Sequence, residues 1–163
     1  MVKEGRPFKG VIYFGLMLTK DGPKVVEYNA RFGDPETQAI LPRLETDILD
    51  VFQATIDGTL SDIDIKWKDC CSCVVVAASG GYPESYEKGF EIKGLDACDH
   101  LVFHAGTKMT EDGKIVTSGG RVLCVYGEGK TLDEAIDSAY EGLAPITFDK
   151  MHFRKDIGRT LGK

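Results

Sequence analysis

Val25-Val26-Glu27-Tyr28-Asn29-Ala30-Arg31-Phe32-Gly33-Asp34-Pro35-Glu36-Thr37-Gln38 is the stretch on which the reading of this chain turns. Alternate residues of a strand share a face. Val25, Glu27, Asn29 and Arg31 therefore fall on one side, and Val26, Tyr28, Ala30 and Phe32 on the other. The second side is wholly apolar and is expected to pack on a core. The first sets a carboxylate, an amide and a guanidinium in a row, about 7 Å apart at each two-residue step. By patterning alone, a half-exposed strand whose polar side meets water is the simpler reading. The chemistry of the three groups argues for more. Glu27 and Asn29 offer hard oxygen donors of the kind Mg²⁺ takes, and Arg31 offers a planar fork for a phosphoryl group.

The residues next to this strand extend the same reading. Gly33-Asp34-Pro35-Glu36 is a tight loop at its end, where ligand-binding groups tend to lie. Asp34 and Glu36 are candidates to meet an amine, a hydroxyl or a metal, or else to cap the following helix; for Glu36 capping is the preferred reading. Upstream, Phe8 to Leu18 reads as a strand, and Lys20-Asp21-Gly22-Pro23 as the turn of an antiparallel hairpin. Downstream, Thr46 is a plausible N-cap for a helix carrying Ile48, Leu49, Phe52 and Ile56 at helical spacing, with Gly58 just past its end. Residues 59–68 are polar and aperiodic and read as a linker.

Beyond the linker, Cys71 to Ser79 reads as a buried strand ended by Gly80-Gly81-Tyr82-Pro83. Leu101 to Met109 and Lys114 to Ser118 flank a turn signal at Glu111-Asp112-Gly113, and Arg121 to Tyr126 supplies another strand. Thr131-Leu132-Asp133-Glu134 has the form of a capping box opening a helix, with Leu132, Ala135, Ile136, Ala139 and Leu143 on one stripe. The order of elements is that of an α+β fold with a mostly antiparallel sheet.

Composition sets outer limits. The chain has 163 residues, 42% hydrophobic and 28% charged, with 26 acidic against 20 basic side chains and a formal net charge of -6. That is enough apolar content for a core, and it gives no electrostatic case for a nucleic-acid or anionic-membrane partner. No apolar run approaches the roughly 20 residues that span a bilayer, and the first residues lack a signal-peptide core. A cytoplasmic setting is expected. Cys70, Cys71, Cys73, Cys98 and Cys124 are an odd set without a disulfide framework. Neighbouring residues in a strand point to opposite faces, so the Cys70–Cys73 cluster is read as small apolar side chains in a sheet rather than a metal site.

Glu27-x-Asn29-x-Arg31 resembles the metal-ligand strand of ATP-grasp enzymes. Arg31-Phe32-Gly33-Asp34-Pro35-Glu36-Thr37-Gln38 closely resembles the signature of the phosphoribosylamine–glycine ligase family, also called glycinamide ribonucleotide synthetases. Four more segments are similar to that family: 10–18, His104-Ala105-Gly106-Thr107, Ser118-Gly119-Gly120-Arg121-Val122-Leu123 and Phe153-Arg154-Lys155-Asp156-Ile157-Gly158. The likeness covers nearly the whole chain.

The resemblance implies that residues 1–62 are the C-terminal part of an ATP-grasp domain and 63–163 the C-terminal domain of the ligase. It implies ATP-dependent joining of glycine to 5-phosphoribosylamine in purine synthesis, through a glycyl phosphate, with Mg²⁺ or Mn²⁺ as the metal. Glu27 and Asn29 would hold the metal, and Arg31 would act as the catalytic residue on the transferred phosphoryl group. Gly33, Asp34 and Pro35 would lie beside the acceptor substrate. Arg154 and Lys155 would hold the ribose phosphate, with two solvated charges as the equal alternative. Family members carry an ATP-gripping lysine, a glycine-rich phosphate loop and further N-terminal domains, and nothing here resembles them; Gly127-Glu128-Gly129-Lys130 lacks P-loop spacing. The chain is therefore expected to be a fragment, inactive alone, whose partners are small-molecule substrates and the N-terminal domains of the same polypeptide. Another ATP-grasp ligase or carboxylase, or a non-catalytic binding module, are the alternatives.

Overall fold

The computed structural model describes residues 1–159, which divide into two compact units with the boundary between Lys68 and Asp69. The first opens with an antiparallel hairpin of β1 (Tyr13–Thr19) and β2 (Gly22–Asn29). The turn is tighter than the sequence suggests. Thr19 pairs with Gly22, whose φ of 93° needs glycine, and Thr19 Oγ1 donates to the Gly22 carbonyl at 2.8 Å. Residues 8–12, expected in the first strand, lie outside it.

The hairpin is bulged. Gly15 pairs with Glu27 and Leu16 with Val25, so Val26 is left as the extra residue of β2. The strict alternation expected from Val25 to Arg31 holds only from Glu27 onward, and β2 ends at Asn29 rather than Phe32. The expected burial of the apolar side also fails. Val26 and Tyr28 are 66% and 64% exposed, because within this unit no layer lies over that face.

Two helices follow, α1 (Glu36–Ile40) and α2 (Ile48–Asp57). The N-cap of α2 is Asp47, which accepts from the Leu49 amide at 2.9 Å; Thr46 instead accepts from the Lys66 amide at 2.7 Å. Gly58 ends the helix in the left-handed conformation, as its position past the last apolar residue leads one to expect. Residues 59–68 are not a free linker. They form a short turn at Leu60–Asp62, and Trp67 bridges Leu44, so they close back on the first unit. Ala54 is the one buried hydrophobic residue among the described residues of this unit.

The second unit is built differently. Its central strands are β3 (Cys71–Ser79) and β7 (Arg121–Gly129), paired antiparallel over almost their full lengths. β4 (Val102–His104) lies on the far side of β7, and β8 (Met151–His152) on the far side of β3. β5 (Thr107–Met109) and β6 (Ile115–Thr117) form a separate ribbon. The single run expected from Leu101 to Met109 is thus two strands serving two sheets. The break falls at Ala105-Gly106, whose amides bond back to Val122 and Arg121.

α3 (Leu132–Leu143) packs on the four-stranded sheet. Its capping box is complete: Thr131 Oγ1 accepts from the Glu134 amide, and the Glu134 carboxylate accepts from the Thr131 amide. Ala135, Ile136, Ala139 and Leu143 meet Val75, Ala77, Leu123 and Val125 in a closed core. Every strand pairing is antiparallel, as expected for an α+β chain. Among the described residues no helix is long and apolar enough to cross a membrane.

Candidate functional site

The candidate site sits at the end of β2 in the first unit. Glu27 and Asn29 share a face, and the Asn29 amide nitrogen donates to Glu27 Oε1 at 3.0 Å. Because the amide uses its nitrogen here, its carbonyl oxygen is the atom left for a cation, beside the second carboxylate oxygen. Glu27 is exposed and Asn29 partly buried.

Room for Glu27 comes from across the hairpin. Gly15 is its ladder partner, and a Cβ at Gly15 would lie 2.8 Å from Glu27 Cγ. Tyr13 faces Asn29 in the same ladder. Burial pushes the Tyr13 phenol above its ordinary range, and the Glu36 and Glu27 carboxylates add to that shift. The strand pattern singled out neither Gly15 nor Tyr13. Their signal was the pairing register, which the hairpin turn sets and the bulge then shifts by one residue.

Arg31 lies past the strand end. Its guanidinium donates to the neighbouring Phe32 carbonyl at 2.8 Å and is exposed, so the structure does not bring it against Glu27 and Asn29. The loop after it is compact. The Asp34–Pro35 peptide is cis, Gln38 donates to Asp34 Oδ1 at 2.9 Å, and the Gly33 carbonyl accepts from the Thr37 amide at 3.1 Å. Gly33 is buried, and a Cβ there would stand 2.4 Å from Glu36 Oε2. Glu36 stands in the first turn of α1, where a carboxylate favours the helix N-terminus as expected, and its carboxylate folds back over Gly33.

Two oxygen-bearing side chains suit Mg²⁺, which completes its shell with phosphate and water. Among the described residues no group of three or more His, Cys, Asp or Glu is placed to hold a metal. The Glu27–Asn29 pair fits a metal that arrives bound to phosphates.

The remaining candidates lie in the second unit. Arg154 grips Asp156 with Nε at 2.9 Å and a terminal nitrogen at 2.7 Å, which holds the Asp156 carboxyl below its usual range. Lys155 is exposed. His104 Nδ1 lies 3.1 Å from Thr107 Oγ1, and His100 Nε2 lies 3.2 Å from Ser138 Oγ.

Comparison with known proteins gives two family matches. Residues 72–160 match phosphoribosylglycinamide synthetase, C domain, and residues 1–37 match phosphoribosylglycinamide synthetase, ATP-grasp (A) domain. The phosphoribosylamine–glycine ligase of Caldanaerobacter subterraneus is 54% identical over 156 residues, covering 95% of this chain and 37% of that protein. The trifunctional purine biosynthetic protein adenosine-3 of Gallus gallus is 52% identical over 162 residues, 16% of its length. The crystal structure of phosphoribosylamine–glycine ligase from Thermotoga maritima matches with a TM-score of 0.82 and 36% identity, over 95% of this chain and 38% of that one. The chain thus spans well under half the length of the ligases it matches.

Proposed function

Since this chain belongs to the phosphoribosylglycinamide synthetase family, through a C domain matched over residues 72–160, we propose that it forms part of an ATP-dependent carbon–nitrogen ligase. The reaction joins glycine to 5-phosphoribosylamine. ATP transfers its terminal phosphoryl group to the glycine carboxylate, leaving ADP and a glycyl phosphate. The amine of phosphoribosylamine then attacks the acyl carbon, forming the amide of glycinamide ribonucleotide and expelling phosphate. Residues 1–62 would be the C-terminal part of the ATP-grasp domain, and 63–163 the C-terminal domain. Cytoplasmic purine synthesis is the setting that fits.

The observation that carries this reading is the Glu27–Asn29 pair, joined at 3.0 Å on a strand face that Gly15 keeps clear. Glu27 Oε2 and Asn29 Oδ1 would hold Mg²⁺ or Mn²⁺, whose charge, when bound, neutralises the phosphates. The chain's own groups contribute position and charge, which is most of what phosphoryl transfer asks of a protein. Arg31 is the cation nearest in sequence; its bond to the Phe32 carbonyl is exposed and exchangeable, so the guanidinium can turn to the transferred phosphoryl group. Gly33, Asp34 and Pro35 would border the acceptor substrate. Arg154 and Lys155 would hold the ribose phosphate, Arg154 by exchanging Asp156 for a phosphate of similar bidentate geometry.

Alone, the chain is expected to release no phosphate from MgATP in the presence of glycine and phosphoribosylamine. Turnover on the order of 1 s⁻¹ would contradict that. The positive test is a chimera in which this chain replaces the matching 37% of the Caldanaerobacter ligase. Phosphate release that requires both glycine and phosphoribosylamine is expected. A folded chimera without that activity would sink the proposal.

A further inference from the structure

Tyr140, in the last turn of α3, uses its hydroxyl for more than packing. Its ring lies 6.3 Å from that of Phe153, and both rings border the core of the second unit. The hydroxyl donates to the Arg154 carbonyl at 2.7 Å and accepts from the Ile157 amide at 3.0 Å. Those two backbone groups are three residues apart, the spacing at which a β-turn closes with one direct bond. Here the phenol stands between them and completes both, using its one donor hydrogen and an acceptor lone pair.

The corner of that turn carries Arg154 and Lys155, both exposed. Beyond it, Ile157 packs on the core, and Gly158 turns with a φ of 74° where a Cβ would lie 2.7 Å from Ile136 Cδ1. Arg159 is paired with Asp137 of α3. The segment is thus fixed at its exit by packing and an ion pair, and at its entry by the Tyr140 hydroxyl. Asp156 meets Arg154 through two nitrogens, the geometry in which a guanidinium also takes a phosphate. Arg154, Lys155 and Arg159 outweigh Asp156 here, in a chain whose net charge is -6.

We propose that Tyr140 is a positioning residue for a phosphate-monoester subsite formed by Arg154 and Lys155, holding the turn open so that both cations address one phosphate. The inference rests on the ribose-phosphate role proposed above for that pair. Without the hydroxyl, the Arg154 carbonyl and the Ile157 amide close on each other directly, which draws in the corner that carries Lys155. The ring and its packing on Phe153 survive in Tyr140→Phe, so that substitution isolates the hydroxyl. A phosphate remote from the reacting amine contributes alike to ground-state and transition-state binding, so its loss belongs in KM rather than kcat.

The probe is ribose 5-phosphate, titrated into the isotope-labelled chain and followed by the amide resonances of Arg154, Lys155 and Ile157. Binding at this turn is expected, about tenfold weaker in Tyr140→Phe and lost in Arg154→Ala combined with Lys155→Ala. A retained cooperative unfolding transition of the second unit confirms that each variant folds. In the chimera described above, Tyr140→Phe should raise KM for phosphoribosylamine about tenfold, with kcat and the KM for ATP held within about twofold. No binding of ribose 5-phosphate, binding away from residues 154–157, or binding indifferent to the hydroxyl overturns the inference. So does a fall in kcat without a rise in KM. An active chimera whose KM ignores Tyr140→Phe refutes the positioning role and leaves the function standing. A folded but inactive chimera, with ribose 5-phosphate binding that depends on Tyr140, supports the positioning role and refutes the function.

Discussion

Gly15 and Glu27 are partners across the β1–β2 ladder, and a Cβ on Gly15 would come within 2.8 Å of Glu27 Cγ. The clash would be with a flexible side chain, so the consequence is displacement of the carboxylate rather than unfolding. In the chimeric ligase, Gly15→Val is expected to lower kcat by about tenfold to a hundredfold, with Glu27→Ala losing on the order of a thousandfold. Unfolding of the second unit should be unchanged in both. Full activity in Gly15→Val would remove Glu27 from the proposed site.

Metal affinity follows from the same pair. Two oxygen donors without a nucleotide are a poor Mg²⁺ site, so titration of the isolated chain should show binding no tighter than about 1 mM. Calorimetry with Mg²⁺ alone is the check. A micromolar site would mean that donors other than Glu27 and Asn29 take part.

Gly127 sets how closely α3 approaches the sheet. A Cβ there would lie 2.3 Å from the Ala139 nitrogen and 2.4 Å from the Ala135 carbonyl, backbone atoms that cannot step aside. Gly127→Ala is expected to destabilise the second unit by about 3 kcal/mol, the upper part of the usual cost of overpacking. Urea unfolding followed by far-ultraviolet circular dichroism measures it, and a loss below about 1 kcal/mol would show that the helix can shift.

The capping box gives a smaller, independent effect. Thr131→Ala removes the acceptor of the Glu134 amide and should cost about 1 kcal/mol. Glu134→Ala removes the carboxylate that accepts from both the Lys130 and Thr131 amides, and should cost a comparable amount. The double variant should lose less than the sum, because each single change already breaks the box.

Cys73 provides a pH test. Burial in the sheet pushes its thiol above the ordinary value of 9.0, and Arg159 offsets this in part. The folded protein therefore favours the neutral thiol. The stability this contributes is complete below pH 9 and is lost as pH rises through the folded pKa. Alkylation of Cys73 should accordingly lag behind that of the same residue in urea at pH 8, and Cys73→Ala should flatten the alkaline fall in stability. Equal alkylation rates in the folded and unfolded chain would contradict the burial.

Local elements were legible where local chemistry decides them. The strand Cys71–Ser79 appears with the boundaries its apolar run suggests, and the Thr131–Glu134 box opens α3 as written. The Glu27–Asn29 pair was legible too, because a two-residue step on one strand needs no tertiary information. Choices between neighbours were not. Asp47 rather than Thr46 caps α2 because Thr46 is engaged by Lys66, a contact 20 residues away that no spacing rule sees.

What the sequence determined alone is therefore the α+β class of the chain, the capping box that opens α3 and the sharing of one strand face by Glu27 and Asn29. These depend on side-chain chemistry and on periods of two or 3.6 residues. The tertiary structure decided the rest. It placed Gly15 under Glu27, broke the run from Leu101 to Met109 between two sheets, and tied Arg154 to Asp156. It also left the apolar side of β2 open where patterning called for a core. Periodicity says which residues want burial, but only the layers present in three dimensions say whether anything lies over them.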